Sequence, residues 1–120
     1  MISLWLPVAL WMGAIYWGAS LPVVPSPVEG FSDTFLHIAG YAGLSMLTLR
    51  ATAGGRWSGV TTKALTAALA IAILHGLSVE WEQMYIPSRY AEWRDVGNDA
   101  IGALLGLAPG WAWSKMKGPA

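Results

Sequence analysis

The first 28 residues contain no Asp, Glu, Lys or Arg. A helix or strand of a water-soluble domain keeps one face wet, so its apolar stretches are broken by charge every few residues. An uncharged run of this length suits a helix in hydrocarbon, where the backbone groups satisfy one another. The remainder of the chain agrees. Only 12% of its 120 residues are charged, against about 25% in typical soluble domains. The sequence predicts an integral membrane protein.

A helical span needs about 20 mostly apolar residues, and four stretches meet or approach that length: 2–21, 33–49, 63–79 and 95–113. Pro22, Pro25 and Pro27 close the first, since proline lacks the N–H that a helix interior requires. A cleaved signal peptide is the rival reading of that stretch. It lacks a basic leading region, however, and carries Trp and Tyr residues that suit a membrane boundary. The expected fold is all-α: a four-helix transmembrane bundle forming one domain over residues 1–120.

Orientation follows from the cations in the short connections. Arg50, Arg56 and Lys63 lie between the second and third spans, and Lys115 and Lys117 follow the fourth. The first connection has no cation and the third has Arg89 and Arg94. Five against two puts both termini in the cytoplasm and residues 80–94 outside. Seven basic residues balance seven acidic ones, so no basic field exists to attract nucleic acid. With no cysteine, disulfides, thiolate metal sites and cysteine nucleophiles are excluded.

The ionisable residues are gathered rather than scattered. Asp33, His37 and Tyr41 recur every four residues and share one helical stripe. Glu80 and Gln83 share a face at the end of the third span. Arg89 sits in the following turn, and Asp95, Asn98 and Asp99 open the fourth helix. All fall towards the outer side. Ionisable groups in a membrane normally face the bundle interior or a wet cavity. Such a set suits an anionic headgroup, a metal ion or a proton transfer, and its residues alone do not choose a cofactor. It equally suits a closed salt-bridge network, with Asp33 and Asp95 as helix N-caps.

Other features have plainer readings. His75, alone in an apolar run, reads as a packing residue. Gly102, Gly106 and Gly110 form a small-residue face for close helix packing inside the bundle. The tryptophans, including Trp5, Trp57, Trp81, Trp93, Trp111 and Trp113, read as interface anchors. No nucleophile elbow accompanies Ser20, Ser26 or Ser32.

Two blocks, DTFLHIAGY over residues 33–41 and EWEQMYIPSRYAEWRDVGNDAIG over 80–102, resemble the VanZ-like family of small membrane proteins. That family shows Asp-Lys-x-x-His-x-x-x-Tyr, then Glu-x-x-Gln, Pro-x-Arg and Asp-x-x-Asn-x-x-x-Gly. The matches are Asp33, His37, Tyr41, Glu80, Gln83, Pro87, Arg89, Asp95, Asn98 and Gly102. Thr34 stands where the family has Lys, and Val79 where an acidic residue is frequent. The resemblance implies a multi-pass protein of the bacterial cytoplasmic membrane with a cell-envelope role, and for some members lowered sensitivity to teicoplanin. It brings no established chemistry. The expected function is binding of an amphiphilic or lipid-linked envelope precursor at the outward polar cluster. The alternatives are a membrane-embedded hydrolase or transferase, and an accessory subunit for a partner membrane protein.

Overall fold

The computed structural model describes residues 1–21, 32–86 and 93–117, without the side chains of Asp33 and Lys117. All regular structure among them is helical: α1 (Ile2–Ser20), α2 (Asp33–Thr52), a 3-10 turn (Trp57–Gly59), α3 (Thr62–Gln83) and α4 (Trp93–Lys117). By length and composition, α1 and α3 are apolar enough to cross a membrane. The composition of α2 and α4 is held down by polar residues such as Ser45, Thr48, Asp95 and Asp99, all of which are buried between helices.

Local chemistry explains the boundaries. Ser32, not Asp33, caps α2, its hydroxyl accepting from Phe35 N at 3.1 Å. Thr61 caps α3 in the same way through Ala64 N at 3.1 Å. Each satisfies one amide that the first helical turn leaves open. At the end of α2 the chain reverses through Gly54 and Gly55 at φ 68° and 75°, a region costly for residues with a Cβ. Asp95 lies in the first turn of α4 and is buried. Its carboxylate therefore sits inside the bundle, whereas the sequence had offered it as a cap.

The helices alternate in direction along the chain. The start of α1 meets the end of α2, where Arg50 Nη1 donates to Ser3 O at 3.4 Å. Near the same end, Thr52 Oγ1 of α2 donates to Ala64 O of α3 at 3.0 Å. Consequently α2 and α4 run parallel, and they form the closest pair. Cβ atoms built on Gly102 and Gly106 would collide with the α2 backbone at Ile38 and Ala42, and one on Gly110 would stand 2.8 Å from Leu49 Cδ2. The small-residue face thus packs inside the bundle. Between the two glycine contacts, Ser45 Oγ donates to Ala103 O at 2.8 Å. Ser45 and Ala103, both 0% exposed, lie in this seam.

Charge is polarised along the resulting 50 Å long molecule. Arg50, Arg56, Lys63 and Lys115 belong to the end where α2 finishes and α3 begins, and Glu80, Glu82, Asp95 and Asp99, with Arg94 beside them, to the other.

Candidate functional site

At the acidic end, α2, α3 and α4 each direct an ionisable side chain into one space. His37 of α2 donates from Nδ1 to Asp99 Oδ1 at 2.6 Å. A carboxylate can only accept, so this bond puts the proton on Nδ1. The other ring nitrogen, Nε2, lies 3.8 Å from Asp95 Oδ1, beyond hydrogen-bond range. Glu80 of α3 completes the group: one donor atom each from His37, Glu80 and Asp95 fall within 4.8 Å of one another. Glu80, Asp95 and Asp99 are 7%, 5% and 2% exposed. Charges this deep occur where they serve one another or a ligand, because desolvation is expensive.

Helical periodicity builds the site. Asp95 and Asp99 are four residues apart and share a face, while Gly76 leaves the room on α3 into which Asp99 fits. An imidazole oriented by a carboxylate through one nitrogen can accept a proton or bind a metal through the other.

A second polar pair lies one turn deeper. His75 Nε2 is 3.3 Å from Met12 O, and since a carbonyl only accepts, Nε2 carries the hydrogen. Nδ1 then accepts from Tyr41 OH at 2.8 Å. Tyr16 packs edge-on against the same imidazole at 4.9 Å. His75 is thus a buried, hydrogen-bonded packing residue. Tyr41 shares a stripe with His37 but bonds His75, so it leaves the His37 cluster.

Polar contacts also fasten α1 along α3. Tyr16 OH bonds Ser78 Oγ, Ser20 Oγ bonds Glu82 Oε1, and Gln83 Nε2 donates to Ala19 O at 3.4 Å. Gln83 is therefore an inter-helix tie. Trp11, in the middle of α1, lays its ring on Gly43 and donates from Nε1 to Gly40 O at 2.8 Å. It is a helix-packing residue.

Of the residues expected at the site, the structure brings His37, Glu80 and Asp95 together and turns Tyr41 and Gln83 to other partners. Asn98 is half-buried on α4. Arg89 and the side chain of Asp33 lie outside the described residues. Asp99, placed in the polar set by its position at the start of the fourth helix but given no role there, is the residue that holds His37. A groove of about 540 Å³, lined by residues including Arg50, Arg56, Trp57 and Trp113, lies at the opposite, basic end.

The sequence matches no protein-family model, and comparison with curated proteins and with solved structures gives no match.

Proposed function

We propose that this chain is a multi-pass integral membrane protein of the bacterial cytoplasmic membrane, allied to the VanZ-like family it resembles. In this reading it binds the headgroup of an amphiphilic or lipid-linked envelope ligand at its acidic end. The observation that carries the reading is the His37, Glu80, Asp95 and Asp99 cluster, built from three helices and almost withdrawn from solvent.

The distribution of side chains supports the membrane setting. Leu10, Leu74 and Leu105 are 65%, 65% and 57% exposed in mid-helix, while Ser45, Thr48 and Asp99 are buried. Water favours the opposite arrangement, and hydrocarbon favours this one. The basic end, with Arg50, Arg56, Lys63 and Lys115, then faces the cytoplasm by the positive-inside rule. The cluster faces outwards, where lipid-linked wall precursors and glycopeptides such as teicoplanin meet. Arg89, in the connection after α3, supplies a guanidinium for an anionic headgroup.

A second reading, a membrane-embedded hydrolase or transferase on a lipid-linked substrate, is favoured by the carboxylate-oriented imidazole of His37. The test of the leading reading is native mass spectrometry of the detergent-released protein beside Glu80→Gln, with the thermal midpoint of each. A lipid-sized adduct on the wild type that a still-folded variant loses is the expected result. A wild type without any adduct, beside a variant that melts much lower, would leave only a structural network.

A further inference from the structure

We infer that His37, Glu80 and Asp95 bind one divalent transition-metal ion, with Asp99 as the outer carboxylate that aims the imidazole. This deepens the headgroup reading and rests on the same cluster.

The geometry carries the inference. Zinc bonds to imidazole nitrogen and carboxylate oxygen are about 2.0–2.2 Å, so two donors on one ion stand roughly 3–4 Å apart. The 3.8 Å between His37 Nε2 and Asp95 Oδ1 falls in that range and is too long for a hydrogen bond. The full donor triangle, within 4.8 Å, needs to contract only slightly to close on an ion. The three donors come from three helices, so each approaches from its own direction.

The chemistry agrees. A histidine that ligates a metal usually donates its other N–H to a carboxylate, which fixes the tautomer and raises ligand basicity. The 2.6 Å bond from His37 Nδ1 to Asp99 Oδ1 is that arrangement, and it leaves the Nε2 lone pair towards Asp95. One imidazole with two carboxylates suits a borderline ion such as Zn2+, whereas Mg2+ and Ca2+ prefer all-oxygen sites. Three protein ligands leave a coordination position open, and a phosphate oxygen of an anionic headgroup is the chemical class that fits it.

The experiment uses the full, untagged chain in detergent, stripped by a chelator. Zn2+ is titrated by calorimetry, and Co2+ by its visible absorption. The expected result is one ion per chain, with binding abolished in Glu80→Gln and in Asp95→Asn. Asp99→Asn, which touches no metal, should retain one-to-one binding weakened about 10–100-fold. His75→Gln removes the other histidine of the chain and should bind as wild type does. Should one ligand variant fail to fold by circular dichroism, the other and the wild-type Co2+ spectrum carry the test. No uptake by the wild type, or uptake unchanged in both ligand variants, overturns the inference. Native mass spectrometry separates the two readings. Lipid retained by chelated protein that takes up no Zn2+ overturns the metal site alone. One Zn2+ per chain without lipid upholds the metal site and overturns the headgroup reading.

Discussion

Asp99 occupies the space in front of Gly76: a Cβ built at position 76 would stand 2.8 Å from Asp99 Oδ2. The same carboxylate holds the imidazole of His37. A glycine on α3 therefore sets the aim of a histidine on α2 through an aspartate on α4.

Gly76→Ala ought to destabilise the fold by about 1–3 kcal/mol, the usual cost of forcing extra volume into a packed seam. Gly97→Ala is the matched control, since nothing lies within 4 Å of its Cβ. There the higher helix propensity of alanine should stabilise by up to about 1 kcal/mol. Reversible unfolding of both variants in one detergent gives the comparison. Equal effects at the two sites would mean that Asp99 does not press on Gly76.

The α2–α4 seam predicts a larger loss. Gly106→Val must displace the α2 backbone at Ala42, which yields less readily than a side chain. A loss at or above the upper end of about 1–3 kcal/mol is expected. A variant that melts with wild type would show that the two helices stand further apart than described.

The Tyr41–His75 hydrogen bond is measurable as a coupling energy. A double-mutant cycle of Tyr41→Phe and His75→Leu should give about 0.6–1.7 kcal/mol, the range for side-chain bonds between membrane helices. Because the pair lies one turn from the His37 cluster, Tyr41→Phe should leave lipid retention unchanged. Lipid lost from a folded Tyr41→Phe protein would extend the site to Tyr41.

A chain without cysteine allows sidedness to be read from single introduced thiols. Ser58→Cys reports the basic end from the 3-10 turn, and Met84→Cys, 64% exposed, reports the acidic end. An impermeant maleimide added to intact cells should label Met84→Cys and spare Ser58→Cys. The opposite pattern would invert the proposed orientation.

The helices were legible because their signals are local. Apolar runs separated by Pro22, Pro25, Gly54 and Gly55 give the same four elements in sequence and structure. Their ends were less legible, since α3 continues through Glu80 and Gln83, which face other helices and not water. The stripe of His37 and Tyr41 was visible as spacing, but spacing names a face and not its neighbour. Along that face α4 meets His37 and α3 meets Tyr41, a division set by packing. Gly102 and Gly106 likewise announced a close approach without saying to which helix. The partner, α2, runs parallel to α4 and is separated from it by the whole of α3.

The first helix is joined to the others by polar groups as well as by the apolar packing of Leu4, Trp5, Val8, Met12 and Ile15. Its one fully buried residue is Val8, while Trp11, Tyr16 and Ser20 each bond to α2 or α3. In the proposed membrane setting, apolar contact between helices gains less than it would in water, whereas a hydrogen bond has no solvent to compete with. Water reverses this balance by offering Tyr16, Ser20 and Gln83 other partners. In that setting, the drier its surroundings, the more firmly these bonds moor α1, and wetting is the condition that would loosen them.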